Sequence, residues 1–163
     1  MSAAADNAAQ LIAYARSTGD SVVFIRHEFT TSDAPFFAPG SEGARLHPKA
    51  INREDEHVVL KHFANAFRET DLRTVLDQHE INDLTICGNM SHMCVDSTAR
   101  AACDLGYKVT VIHDACASRD LNFCGVYVPA SQVHVAFMAS LGLAFASMLT
   151  TKEYVCGAAV AKR

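Results

Sequence analysis

The sequence lacks the features that would place it in a membrane, on nucleic acid or in a secretory pathway. No apolar stretch approaches the roughly 20 residues needed to span a bilayer. The 14 lysines and arginines are outnumbered by 18 aspartates and glutamates and form no basic stripe, which gives nucleic-acid binding little support. The first ten residues, MSAAADNAAQ, lack the basic start and apolar core of a secretory signal. We therefore predict a cytoplasmic protein that binds neither nucleic acid nor membrane.

The cysteines lack the spacing of a metal site or of a disulfide framework. None of the six cysteines or eight histidines forms a Cys-x2-Cys or His-x3-His pair. A chain of 163 residues can bury a core without covalent staples, so we interpret the cysteines as reduced thiols. A zinc site is the alternative that these spacings disfavour, and we predict no metal and no cofactor. The cysteines are Cys87, Cys94, Cys103, Cys116, Cys124 and Cys156.

What the sequence does contain is an alternation of strand-like and helix-like segments. Continuous apolar runs such as SVVFIRH are typical of parallel strands buried on both faces. The alternation predicts a single domain over residues 1–163 with a doubly wound α/β fold, in which a mostly parallel sheet carries helices on both faces, as in Rossmann-like three-layer proteins. The predicted strands are 21–27, 57–61, 84–87, 108–113 and 148–155. The predicted helices are 3–17, 70–79, 94–105 and 131–147, and a long loop covers 29–46.

Polar residues gather where the predicted strands end. Arg26 and His27 end one strand, Lys61 ends the next, a turn at Gly88 leads to Cys94, and Asp114 follows a fourth strand. Ligands of parallel sheets bind beyond the carboxyl ends of the strands. The pattern therefore predicts a functional site at this edge of the sheet.

Cys94 is the candidate nucleophile because of its position. It follows an apolar strand and a short turn, and it opens a predicted helix that Ser91 is placed to cap. The unpaired N–H groups and partial positive charge of a helix start favour a thiolate, whereas Asp96 in the first turn opposes it. A buried cysteine is more often an inert small hydrophobe, and position alone leaves both interpretations open.

The other candidates each have a plainer alternative. Lys61 either places an ammonium beside the thiol, which favours the thiolate, or is a solvated lysine at a strand end. His27 and His92 are candidate general bases, although a turn histidine often faces solvent or substrate instead. For Asp114, a loop carboxylate that bonds backbone N–H groups is favoured over a catalytic role. Four phenylalanines could wall a pocket or belong to the core. They are Phe36, Phe37, Phe63 and Phe67.

Five stretches of the chain resemble the isochorismatase-like cysteine hydrolase family. They are VVFIRH, PFFAPGSEGARLHP, VVLKHFANAFRETDL, ICGNMSHMCVDSTARAACDLGYKVTVIHDACASRD and VPASQVHVAFMASL, in that order. The stretches around Cys94 and around Lys61 are independent matches, and together the five cover nearly the whole chain. The sequence is therefore identified as a member of this family, and the resemblance implies its doubly wound α/β fold.

The resemblance also implies a site and a chemistry. Cys94 matches the nucleophile and Lys61 the catalytic lysine, the Asn89–Met90 peptide is expected to be cis, and the N–H groups of Met90 and Cys94 would form an oxyanion hole. The implied reaction is hydrolysis of a small molecule at an amide-like C–N bond, or in some members a vinyl ether, through a thioester-type intermediate. Members often form homo-oligomers of two or more chains. The substrate-binding residues that we predict are Phe67, His92 and Phe37.

The sequence departs from the family pattern at its start. The family begins with an apolar strand ending in an Asp-x-Gln-like motif, whose Asp is the third catalytic group, and no matching segment is present. That strand lies between those matching SVVFIRH and LTIC, so its loss would leave two sheet edges unpaired. The sequence could be a shortened version of a longer product, a rearranged chain in which neighbouring strands or a partner chain fill the gap, or a degenerate paralogue. The alternatives to a hydrolase are accordingly a catalytically impaired binding or assembly protein and, less favoured, a thiol redox sensor.

Overall fold

A computed structural model describes residues 2–161, with side chains described for residues 2–157. It contains five helices, which are α1 Ser2–Thr18, α2 Leu72–Gln78, α3 Asp96–Asp104, α4 Ala130–Ala144 and α5 Thr151–Ala161. It contains seven strands, which are β1 Val23–His27, β2 His57–Lys61, β3 Asp83–Asn89, β4 Lys108–Ala117, β5 Leu121–Phe123, β6 Val126–Val128 and β7 Ser147–Leu149. A short 3₁₀ turn, Glu42–Ala44, lies within the predicted long loop. The predicted α/β class is confirmed.

The five parallel strands fall into two sheets. β1 pairs with β2, from Val23 opposite His57 to His27 opposite Lys61, and β3, β4 and β7 pair in that order. No strand pairing joins the two sheets within residues 2–161. β1 and β3, which belong to different sheets, match the two stretches between which the family resemblance places the absent strand. The single-domain assignment and the absence of that strand stay predictions.

Side-chain packing joins the two sheets, which no strand pairing connects within residues 2–161. Val59 of β2 is 1% exposed, and Leu84 of β3 packs against the same cluster. On the other side of the second sheet, Leu11 of α1 packs with Ile112 of β4. Apolar contact of this kind needs no hydrogen-bond register, so it holds the two sheets and α1 in one core.

The strand predicted at 148–155 is wrong beyond Leu149, because α5 begins at Thr151. Glu153 Oε2 accepts the Thr150 N–H at 2.8 Å, and Thr150 Oγ1 accepts the Glu153 N–H at 3.1 Å. This reciprocal arrangement is a capping box, and its Thr-x-x-Glu pattern stands in the sequence. Asp114 lies within β4 and not in a loop after it, so that part of its prediction is wrong. Its Oδ1 accepts the N–H and the O–H of Thr151, both at 2.8 Å, which agrees with the predicted bonding to a backbone N–H group.

A β-hairpin made of β5 and β6 was not predicted. Its two-residue turn is Cys124–Gly125, with φ of +50° and +79°. Hairpin turns of type I′ require positive φ at both positions, and glycine adopts it without steric cost. The sequence signal for this turn was Cys124–Gly125, a residue followed by glycine, between two apolar residues.

None of the helices that the structure describes is long and apolar enough to cross a membrane.

Two leucines of α4 provide a direct test of the core. Leu141 is fully buried and Leu143 is 87% exposed on the same helix. We expect Leu141→Ala to lower the free energy of unfolding by about 2–5 kcal/mol, because it leaves a cavity. Leu143→Ala, which removes the same atoms, should change it by less than about 0.5 kcal/mol. Urea unfolding of both variants measures the difference, and equal losses would contradict this packing.

Candidate active site

Cys94 lies in a wide turn between β3 and α3. Gly88 near the end of β3 has φ +132°, which L side chains rarely adopt, and the Asn89–Met90 peptide is cis, the geometry that the resemblance implies. One π-helical turn, Ser91–Val95, follows and leads into α3. The Met90 carbonyl accepts the N–H groups of Met93 at 3.1 Å and Val95 at 3.2 Å, which closes the turn. The prediction that the regular helix starts at Cys94 is therefore wrong, since α3 begins at Asp96.

Ser91 does not cap a helix, contrary to the prediction. Its side chain is fully buried, and Oγ lies 2.8 Å from Nδ1 of His134 on α4. Burial and the nearby His113 lower the pKa of His134, and one hydrogen bond joins its ring to the Ser91 hydroxyl. The serine therefore anchors the turn that carries Cys94 to a neighbouring helix.

Lys61 is buried against the sulfur. It is 3% exposed, and its Nζ lies 3.1 Å from Cys94 Sγ. Nζ also donates to the carbonyl oxygens of Phe63 at 2.7 Å and Ala64 at 3.2 Å. The alternative of a solvated lysine at a strand end is therefore wrong. Parallel pairing of β1 with β2 brings His27 beside it, and His27 Nδ1 is the fourth polar atom near Nζ, at 2.9 Å.

The charge of Lys61 has no carboxylate to pair with in the described part of the chain. No Asp or Glu oxygen of those residues lies within 4 Å of Nζ, and the other polar atoms around it are two carbonyl oxygens and a ring nitrogen. A buried ammonium is stabilised by hydrogen bonds and by an opposite charge. A thiolate at Cys94 would supply that charge 3.1 Å from Nζ.

The opposing charge of Asp96 is compensated. Arg100 Nε lies 3.0 and 3.1 Å from the two Asp96 carboxylate oxygens, one helical turn away. This ion pair offsets the negative charge that Asp96 brings to the start of α3. Arg100, which the sequence did not single out, therefore weakens the argument that Asp96 opposes a thiolate at Cys94.

The other thiols lie in different environments. All six cysteines are free. Burial raises the pKa of Cys87 to about 11 and that of Cys116 to about 12, as expected for inert core thiols. Cys124 and Cys156 are exposed, and no hydrogen bond joins either side chain to a cation in the described residues. Cys94 thus combines partial exposure with an adjacent ammonium.

The three predicted substrate-binding residues lie in unlike places. Phe37 has φ +53°, a rare conformation for a bulky residue, and its ring lies 5.4 Å from the His27 ring. His92 belongs to the Cys94 turn, with Nδ1 2.6 Å from Ser118 Oγ. Phe67 packs into the core and stacks on Tyr107 at 5.8 Å. The structure gives Phe67 a packing role, and the substrate role of all three stays a prediction.

The sequence did not predict that main-chain carbonyl groups surround the Lys61 ammonium, an arrangement that we call the main-chain cradle. No sequence signal identifies the carbonyl groups of Phe63 and Ala64 as ligands of an ammonium, because every residue has a carbonyl. A weaker signal was available for Thr98, which stands four residues after Cys94 and so on the same side of the helix start. Thr98 Oγ1 accepts the Ala66 N–H at 3.1 Å, which ties the cradle segment to α3.

In the part of the chain that the structure describes, no three His, Cys, Asp or Glu side chains gather as a metal site would require. The site contains instead one thiol, one ammonium and a set of neutral acceptors. Such a set can support attack by sulfur on an electrophilic carbon, and it offers no cluster of ligands for a Lewis acid.

Comparison with known proteins agrees with this chemistry. The family model for the isochorismatase domain matches residues 1–153. The isochorismatase family protein YddQ of Bacillus subtilis is 41% identical over 93% of this chain and 84% of its own length. The nicotinamidase of Escherichia coli is 31% identical over 70% of this chain and 55% of its own length.

The fold of solved relatives is also similar. A crystal structure of an Oleispira antarctica protein assigned as an isochorismatase hydrolase is 52% identical, with a TM-score of 0.91 over 95% of this chain and 82% of that chain. The family model and the relatives together cover the strands, the turn with Cys94 and the segment with Lys61. The protein belongs to the isochorismatase family.

Proposed function

We propose that the protein is a cysteine-nucleophile hydrolase acting on a small molecule at an amide-like C–N bond. The observation that carries the proposal is the buried Lys61 ammonium 3.1 Å from Cys94 Sγ. An adjacent cation favours the thiolate, which is the nucleophilic form of cysteine. The similarity to a nicotinamidase supports an amide over the vinyl ether that some family members cleave.

The proposed reaction passes through a thioester. The Cys94 thiolate attacks the substrate carbonyl carbon, and the carbonyl π electrons move to oxygen to give a tetrahedral oxyanion. The C–N bond then breaks, and the leaving nitrogen takes a proton from the Lys61 ammonium. A water molecule attacks the thioester and gives a proton back to Lys61, which releases the carboxylic acid product and restores the thiolate.

Backbone donors would hold the oxyanion. The proposed donors are the N–H groups of Met90 and Cys94, both in the wide turn anchored by Ser91. Removing one such donor from a hydrolase typically costs about 10²–10³ in kcat, so this turn is the second essential part of the site. The substrate would lie against Phe37 and His92, with Phe67 supporting that wall from the core.

The setting of the protein is part of the same proposal. We infer a cytoplasmic homo-oligomer. We also infer that it needs no cofactor, since the proposed chemistry uses only groups of the chain and water. The rival function is a binding or assembly protein without turnover. It is favoured by one observation, the lack of a carboxylate within 4 Å of Lys61 Nζ in the described residues, because a carboxylate base would speed proton transfer.

Thiol reactivity tests the activated nucleophile. At pH 7 iodoacetamide should alkylate Cys94 faster than Cys124, which is exposed and has no hydrogen bond to an ammonium among the described residues. Peptide mapping after short exposures gives both rates in one sample. Labelling of Cys94 no faster than Cys124 would remove the nucleophile from the proposal.

Turnover tests the reaction class. We would assay a panel of small primary amides, ureido compounds and a vinyl ether with the wild type, Cys94→Ser and Lys61→Met. For the best substrate, each variant should lose about 10²–10⁴-fold in kcat/KM, because the nucleophile or its proton partner is gone. Lys108→Met, at a lysine whose side chain is 80% exposed, is the matched control and should keep full activity.

The panel also separates the two functions. Amide turnover that survives Cys94→Ser would reject the cysteine mechanism. A wild type with a reactive Cys94 and no turnover across the panel would favour the binding protein.

A further inference from the structure

His27 occupies an unusual position beside the proposed nucleophile. Its Nδ1 lies 2.9 Å from Lys61 Nζ, and its ring packs edge-on against Phe29 at 4.9 Å and tilted against Phe37 at 5.4 Å. It does not touch the sulfur within hydrogen-bond distance; Lys61 stands between them. The contacts therefore point to an effect of His27 on Cys94 that passes through Lys61.

The protonation state of His27 follows from its contacts. An ammonium has only protons to offer, so Nδ1 must be the acceptor and the ring proton must be on Nε2. Nε2 is buried and has no hydrogen-bond partner among the described residues. Burial first, and then the charges of Lys61 and His62, lower the pKa of His27 to about 4. The ring is therefore neutral, and able to accept, throughout the physiological range.

A purely structural role does not account for this residue. Burying an N–H group without a partner costs stability, and a phenylalanine could fill the same aromatic surroundings without that cost. What a phenylalanine could not do is accept a hydrogen bond from Lys61. We therefore attribute the histidine at this position to the hydrogen bond that its Nδ1 accepts, although its Nε2 has no partner among the described residues.

The geometry of Lys61 shows what the acceptor provides. The ammonium has three protons, and four acceptors surround it: His27 Nδ1, two carbonyl oxygens and the Cys94 sulfur. The three neutral acceptors replace the water that burial removes and fix where Nζ sits. None of them is a carboxylate, which would compete with the sulfur for the charge of the ammonium.

We propose that His27 is a positioning residue, whose Nδ1 accepts a hydrogen bond from the Lys61 ammonium and holds it beside the Cys94 sulfur. The inference rests on the proposed function of Cys94 and assigns to β1 a part in it. It predicts that removal of the Nδ1 acceptor lowers the thiolate fraction of Cys94 although the sulfur and the lysine are intact.

The test compares three substitutions of His27. His27→Phe keeps the ring and removes the acceptor, His27→Asn keeps an acceptor at about the Nδ1 position, and His27→Gln moves the acceptor to about the Nε2 position. The readout is the rate of iodoacetamide labelling of Cys94 between pH 5 and 10, which requires no substrate. We expect the midpoint of the rate-against-pH curve to rise by about one unit in the Phe and Gln variants, with labelling at pH 7 about tenfold slower. The Asn variant should stay near the wild type.

A double substitution tests whether His27 acts through Lys61. In a Lys61→Met background, His27→Phe should cause no further change in labelling, because the group it positions is gone. His79→Phe, at an exposed histidine after α2, is the matched control and should label Cys94 like the wild type. Thermal unfolding checks that each variant folds. If the Phe variant does not fold, the comparison of the Asn and Gln variants tests the role of the Nδ1 acceptor.

The outcomes separate this inference from the proposed function. Unchanged labelling curves in both the Phe and Gln variants, or equal shifts in Asn and Gln, would overturn the role of His27 while the response to Lys61→Met still supports the nucleophile. A further loss in the double variant would show that His27 acts on the thiol by another route and would overturn positioning. If the labelling rate of Cys94 is also unchanged by Lys61→Met, the proposed function itself is rejected.

Discussion

A positive charge that is buried without a carboxylate partner in the described part of the chain determines the rest of this site. Taking the Lys61 ammonium out of water costs several kcal/mol unless its protons and its charge are both satisfied. The protons go to two carbonyl groups, a neutral imidazole and the Cys94 sulfur, and the only atom among these that can become an anion is the sulfur. The interaction that stabilises Lys61 in the interior is therefore the one on which the proposed reactivity of Cys94 depends.

Each supporting element keeps one part of that contact in place. Parallel pairing of β1 with β2 sets His27 beside Lys61, and Thr98 ties the segment after Lys61 to α3. On the sulfur side, Ser91 and His134 fasten the wide turn to α4. The nitrogen belongs to β2 of one sheet and the sulfur to the turn that follows β3 of the other. Their separation therefore depends on side-chain packing between the sheets and not on a shared hydrogen-bond ladder. The core clusters are thus a condition of the chemistry as well as of stability.

Sequence reasoning succeeded where local pattern decides structure and failed where a competing local contact intervened. Alternation of apolar segments was sufficient for the α/β class, since parallel strands need helical crossovers. The strand expected after Leu149 is instead a helix, because a capping box between Thr150 and Glu153 outweighed an apolar run that fits either state. Ser91 is a residue type that often caps helices, but its hydroxyl forms a hydrogen bond with His134 of α4. No local sequence pattern predicts that contact.

The residues of one chain were enough to name the thiol and the lysine and to associate them with a family, because those residue types at strand ends are rare and their flanking motifs are specific. Their juxtaposition was decided only by the tertiary structure. Lys61 and Cys94 are 33 positions apart and His27 is 34 positions before Lys61, so a distance of about one hydrogen bond among them is a property of how the strands pair and pack. Burial, which turns a surface lysine into a group that must share its charge, likewise exists only after the chain has folded, since it depends on every element that excludes water.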